Sequence, residues 1–270
     1  MLRSWLFVVG LVACGGGARE AVKPERAEPP QLWVQVAGEG APTVVFEAGG
    51  GEDSTAWAGI EPDARLRNGV RTIVYDRAGL GRSAPQPGPY KIDDEAAALR
   101  HALDRFSVQA PVVLVAHSYG GFIATLVAAS DPRIAGVVLV DANLVGYFDD
   151  AVVARLLAKY QPQFAELERA RPALARVMVP MMKAYPETVK RLRGVAFPPQ
   201  LPVIDIVAEH SWGDTEADNE AMRKVHAAFV AASPARRAVL ATGSGHDVMH
   251  DQPEVVLDAI ARMVRTVRSR

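Results

Sequence analysis

Apolar and polar positions follow two rhythms along this chain. Short runs of β-branched and apolar residues predict strands at Leu32–Val36, Thr43–Glu47, Val70–Tyr75, Pro111–Ala116, Gly136–Val140, Val203–Ala208 and Arg237–Ala241. Most of these are too uniformly apolar to keep one wet face, so they read as strands of a sheet covered on both sides. Between them, helical spacing predicts helices at Asp93–Phe106, Tyr119–Ala129, Glu216–Ala231 and Pro253–Val267. The last opens on Pro253 and Glu254 and sets Val255, Val256, Ala259, Ile260 and Val264 at helical spacing. Alternating strands and helices predict an α/β domain with a mostly parallel central sheet and helices on both faces. Residues 144–200 break the rhythm with helical stretches, Ala151–Tyr160 and Phe164–Ala170 among them, cut by Pro162, Pro172, Pro180, Pro186, Pro198 and Pro199. Such an insertion between two strands reads as a lid of short helices over the sheet's carboxyl edge.

Composition narrows the picture. With 270 residues and 49% apolar content, the chain can bury a core of its own. Its 30 basic and 31 acidic residues leave a net charge of −1, with no window of Lys and Arg interleaved with aromatics, which excludes a phosphate-tracking groove and hence nucleic acid as partner. The single cysteine, Cys14, excludes an internal disulfide and a thiolate metal cluster.

Every apolar run is too short to span a membrane. At the N-terminus, Arg3 precedes the apolar stretch Trp5–Val12, then Leu11-Val12-Ala13-Cys14 and three glycines, the charged, apolar and small-residue order of an export signal. This stretch resembles a bacterial lipoprotein leader. The resemblance implies that residues 1–13 are removed, that Cys14 is lipidated, and that the chain sits in the cell envelope, touching membrane only through that lipid. Residues 15–30, rich in Gly, Pro and charge, read as a solvated tether, which leaves 31–270 for the folded domain.

The chemistry is concentrated in Val112-Val113-Leu114-Val115-Ala116-His117-Ser118-Tyr119-Gly120-Gly121, a strand running into a helix with a serine at the junction. A nucleophile on such a turn takes a strained backbone, so the residues two before and two after it must be small, as Ala116 and Gly120 are. In these residues the chain resembles the α/β-hydrolase family, whose turn reads Gly-x-Ser-x-Gly; Ala116 replaces the first glycine. The resemblance spans about residues 31–268 and implies that family's fold. It also implies that Phe46-Glu47-Ala48-Gly49-Gly50-Gly51 supplies one oxyanion N–H, from Gly50 in the family's frame, with Gly49 or Gly51 open through a one-residue shift. Tyr119, the residue after the nucleophile, supplies the second. The turn Tyr75-Asp76-Arg77-Ala78-Gly79-Leu80-Gly81-Arg82-Ser83 resembles the family's Asp-x-Arg-Gly-x-Gly-x-Ser turn, with a structural role and none in catalysis.

A general base must reach the serine. His246, just past the last predicted strand and seven residues before Pro253, stands at the family's histidine position; His250 fits that spacing worse. His246 and His250, beside Asp247 and Asp251, imitate a metal pair, but no His-Glu-x-x-His order accompanies them, so no metal is expected. His117 is expected to pack behind the turn, and His101, His210 and His226 to carry no special chemistry. The acid is less legible. Ala208-Glu209-His210-Ser211 places a serine where the family usually has aspartate. Asp141, at the end of the strand after the nucleophile strand, takes the role in some family members; Glu209 and Asp214 are the alternatives.

These resemblances imply a serine hydrolase acting on small-molecule carboxylic esters through an acyl-enzyme, without a cofactor. The alternative is a non-catalytic ligand-binding member of the same fold. Tyr147, Phe148, Met178, Met181, Met182, Tyr185 and Trp212 are the candidates to line an apolar acyl pocket.

Overall fold

The computed structural model describes residues 29–270. The expected leader, Cys14 and the tether up to residue 28 lie outside the described residues. Seven strands form one sheet: β1 Trp33–Ala37, β2 Thr43–Glu47, β3 Arg71–Asp76, β4 Val112–His117, β5 Ile134–Val140, β6 Val203–Ala208 and β7 Arg236–Ala241. Their order is β1-β3-β2-β4-β5-β6-β7; β1 runs antiparallel to β3 and every other pairing is parallel.

The central strands β2, β4 and β6 are buried along their whole length and mostly apolar, because each residue meets a helix layer whichever way it points. Along β4, Leu114 and Ala116 enter a core shared with α2 (Ile92–Arg105) and α3 (Gly120–Ala128), while Val113 and Val115 enter a second core shared with α1 (Glu61–Asn68) and α10 (Pro253–Arg268). The expected double cover thins at the rim: β7 exposes Arg237, Ala238 and Leu240.

Between β5 and β6 the chain forms α4 (Asp150–Tyr160), α5 (Phe164–Ala170), α6 (Pro172–Lys183) and α7 (Tyr185–Leu192). Proline opens α6 at its first position and sits second in α7, where no intrahelical donor is lost. Met181, Met182, Tyr185, Val189 and Leu192 belong to the same core as Phe122 of α3, so this insertion is packed onto the sheet at the end where β4 gives way to α3. After β6 come α8 (Glu216–Ala231), β7 and the short α9 (Val248–Asp251), which precedes α10. Among the described residues no helix is long and apolar enough to cross a membrane.

Candidate active site

Ser118 follows the last residue of β4 with φ of 50°, the left-handed region that an L-residue enters at a cost of about 1–3 kcal/mol. Neighbouring backbone holds it there: the Ser118 N–H donates to Val140 O at 3.3 Å, and its carbonyl accepts from Gly121 N at 2.9 Å and Asn143 N at 2.8 Å. The turn needs the small residues around it. A methyl group on Gly120 would lie 2.6 Å from Glu47 Cγ and 2.8 Å from Ala48 O, and one on Gly121 would lie 2.7 Å from Ala142 Cβ. Ala116, in place of the usual glycine, fits with its side chain fully buried.

His246 lies on the loop between β7 and α9. Its Nε2 is 2.9 Å from Ser118 Oγ and its Nδ1 is 2.6 Å from Asp141 Oδ2. Asp141 follows β5 with φ of 41° and is 2% exposed. Its Oδ1 accepts from the Ala208 N–H at 3.0 Å and its Oδ2 from the Ser211 hydroxyl at 2.5 Å. Burial pushes the Asp141 carboxyl up, but the hydrogen bond and charge of His246, with the Ser211 and Ala208 donors, hold it below the ordinary aspartate value. Ser211, standing where the family pattern expects the acid, is thus a donor to the carboxylate that occupies its function's place in space.

The structure brings Ser118, His246 and Asp141 together and sends the two alternative carboxylates elsewhere. Glu209 Oε2 accepts from the Gly243 N–H at 2.6 Å, and Asp214 pairs with Lys159. His250 does not meet His246 as a metal pair, since both ring nitrogens of His246 face Ser118 and Asp141. Glu52, His117 and Asp247 do place three ligand-type atoms within 4.8 Å of one another. Within that trio Glu52 faces Nδ1 of His117 at 3.0 Å and Asp247 faces Nε2 at 3.8 Å, so the two carboxylates engage different ring nitrogens. His117 packs behind the turn, its ring 4.6 Å from that of His246 and its Nε2 3.2 Å from the His246 carbonyl oxygen. His226 is not free of partners: it is buried against Asp205 Oδ2 at 2.8 Å.

Of the three glycines after β2, Gly49 donates its N–H to Glu52 Oε2 at 2.6 Å, so that amide is taken. Gly51 does not line the cavity at Ser118; Gly50 and Tyr119 do, and neither of their N–H groups meets an acceptor among the described residues. Below them lies a buried cluster that no local sequence pattern announces. The Arg77 guanidinium, 4% exposed, donates through Nη1 to Glu47 Oε1 at 3.0 Å and Ala48 O at 2.9 Å, and through Nη2 to Gly49 O.

The cavity has a volume of about 520 Å³ and opens onto Ser118 and His246. Met178, Met181, Met182, Tyr185 and Trp212 line it as expected; Tyr147 and Phe148 do not, and pack beneath Trp212 instead. Leu156, Phe164, Leu167 and Leu174 of the insertion complete an apolar wall, and the charged side chains at its border, Glu166 and Arg171, are exposed.

A family model described as "Alpha/beta hydrolase family" matches residues 44–259. The chain belongs to the alpha/beta hydrolase family. Among relatives of this hydrolase, "Uncharacterized protein YqjL" of Bacillus subtilis is 27% identical over 224 residues, covering 83% of each chain. A bromoperoxidase from Bacillus anthracis superposes with a TM-score of 0.64 at 18% identity, over 87% of this chain and 95% of that one. An esterase from Exiguobacterium antarcticum superposes with a TM-score of 0.60 at 17% identity, over 87% and 95%. At these identities the structural likeness is one of fold.

Proposed function

We propose that this alpha/beta hydrolase is a serine esterase that cleaves small-molecule carboxylic esters with an apolar acyl group. The observation that carries the reading is the continuous relay Asp141–His246–Ser118, with both hydrogen bonds formed and its serine oxygen open to an apolar cavity. Ser118 Oγ attacks the ester carbonyl while His246 Nε2 takes its proton. The carbonyl oxygen becomes an oxyanion, and the unpartnered Gly50 and Tyr119 N–H groups receive it. The ester oxygen leaves with the proton from His246. Water, deprotonated by the same imidazole, then attacks the acyl-enzyme and releases the carboxylic acid and free Ser118. Asp141 fixes the tautomer that keeps the Nε2 lone pair on the serine and stabilises the imidazolium.

The relay with its carboxylate in hydrogen-bond reach favours turnover over the non-catalytic ligand-binding alternative, since a binder has no use for an ionised acid buried behind a histidine. The esterase among the structural neighbours is consistent with this choice. The test is hydrolysis of p-nitrophenyl butyrate together with labelling by a fluorophosphonate. Wild type is expected to do both and Ser118→Ala neither; a folded wild type that does neither is the ligand-binding protein instead. The leader adds a location to the proposal: the enzyme is tethered in the cell envelope through lipidated Cys14, so palmitate labelling in cells is expected to disappear in Cys14→Ser.

A further inference from the structure

We propose that Arg77 is the positioning residue of the oxyanion pocket, gripping the carbonyl end of the Gly49–Gly50 peptide and thereby aiming the Gly50 N–H at the reacting carbonyl. The inference rests on the esterase reading above, and it gives a catalytic consequence to a turn whose sequence implies only a structural role.

A peptide bond is a rigid plane, and in the trans form its C=O and N–H point in opposite directions. Among the described residues the cis bonds are those before Pro42 and Pro111, so the Gly49–Gly50 peptide is trans. Arg77 Nη2 holds the Gly49 oxygen on the buried side. The Gly50 N–H at the other edge of that plane therefore points away from Arg77, on the side where Gly50 lines the cavity with Ser118. The preceding peptide is held as well, because the Gly49 N–H donates to Glu52 and the Ala48 oxygen accepts from Arg77 Nη1. A glycine, the residue with the freest backbone, is thus pinned on both sides by charged groups.

Arg77 also faces the side chain of the residue that carries the second donor. Its guanidinium carbon lies 5.9 Å from the ring centroid of Tyr119, whose hydroxyl is 2.9 Å from that of Tyr90. One buried cation therefore holds the peptide before Gly50 and faces the side chain of Tyr119, the two residues whose N–H groups meet no acceptor among the described residues. A planar fork is suited to this role because it spans two carbonyls and the Glu47 carboxylate at once, which a lysine ammonium on a flexible stem does not. Oxyanion donors act only if they are placed before the charge develops, and small displacements at a reacting centre are expensive in rate.

The test compares wild type with Arg77→Lys and with the double variant Arg77→Met/Glu47→Gln, which removes both members of the ion pair so that Glu47 is not left buried without its cation. Fluorophosphonate titration counts folded, reactive sites, so kcat is referred to those alone. The expected result for the double variant is a loss in kcat on the order of 10²-fold at nearly constant KM. Its affinity for phenyl trifluoromethyl ketone should fall by the same factor, because Ser118 adds to that ketone and leaves an oxyanion in the same pocket. Arg77→Lys should fall between. A purely structural arginine would lower thermal stability and the count of reactive sites while leaving kcat per site and ketone affinity at wild-type values, and that result in either variant overturns the assignment to Arg77. Loss of Ser118-dependent turnover in wild type itself would instead overturn the esterase reading and this inference with it.

Discussion

His246 Nδ1 lies 2.6 Å from Asp141 Oδ2, although 105 positions separate the two residues in the chain. The contact is made by the sheet. Adjacent parallel strands β4 and β5 end at the same level, so Ser118 and Asp141 leave the sheet side by side, and the loop after β7 crosses back to set one imidazole between them. Asp141→Asn keeps the shape but replaces the proton acceptor with an amide, so the serine faces the wrong tautomer. Ester turnover is expected to fall by about 10³ to 10⁴ in kcat. Glu209→Gln and Asp214→Asn, whose carboxylates engage Gly243 and Lys159, are expected to leave kcat nearly unchanged. Steady-state kinetics of the three variants check the ranking.

What could be read from the sequence follows physical range. Strands such as Thr43–Glu47 and Val203–Ala208 are legible to the residue because burial on both faces writes a mostly apolar, β-branched run, which the charge of Asp205 does not hide. Ser118 was visible because a strained turn dictates its neighbours within two positions. The helix Glu61–Asn68 was not visible: its sequence EPDARLRN is mostly polar and buries little beyond Glu61 and Ala64. Nor could local pattern reveal that Ser211 would donate to Asp141, or that Arg77 would seize the carbonyls of Ala48 and Gly49, since those partners lie 70, 29 and 28 positions away. The carboxylate partner of His246 is ambiguous in the sequence for the same reason: Asp141, Glu209 and Asp214 all have places there, and only the fold decides which of them faces the histidine.

The cluster around Arg77 makes stability depend on pH. Burial pushes the Glu95 carboxyl up from 4.5 to about 7, against the pull of Arg77 and with a small push from Asp94. The folded chain therefore keeps a proton that the unfolded chain has already released, and folding binds protons between those two values. This contribution is fully present below 4.5 and is lost as pH rises through about 7. Glu95→Gln cannot titrate, so its melting temperature is expected to gain on that of wild type between pH 5 and pH 8. Thermal melts at the two pH values measure the difference.

Gly120→Ala tests the crowding at the serine turn. The new methyl would stand 2.6 Å from Glu47 Cγ and 2.8 Å from the Ala48 oxygen, which is already fixed by Arg77. Neither neighbour can retreat easily, so a loss of about 1–3 kcal/mol in stability is expected, together with reduced kcat as α3 shifts away from β2. Ala116→Gly is the contrasting case. The native methyl is fully buried and well housed, so restoring the family's usual glycine should cost stability, by roughly 1 kcal/mol, with no gain in turnover. Denaturant melts and ester assays on both variants decide.

In the proposed esterase, the cavity wall is expected to set a chain-length preference. Leu167, Leu174, Met178, Met181 and Met182 present carbon and sulfur to the space beside Ser118, while the charged side chains at its border, Glu166 and Arg171, remain in water. Each methylene moved from water into such a wall is worth about 0.8 kcal/mol, or up to roughly fourfold in kcat/KM, for as long as the added carbons stay inside. For p-nitrophenyl esters, kcat/KM should therefore climb steadily from acetate through butyrate to hexanoate and then level off as the cavity fills. An acyl group ending in a carboxylate must shed its hydration without a buried cation to replace it, so the hemisuccinate ester should be a far poorer substrate than the butyrate of similar reach. Narrowing the wall by Leu174→Trp should move the levelling point to shorter chains and leave acetate turnover almost untouched, an outcome that a chain-length series on wild type and variant reads directly.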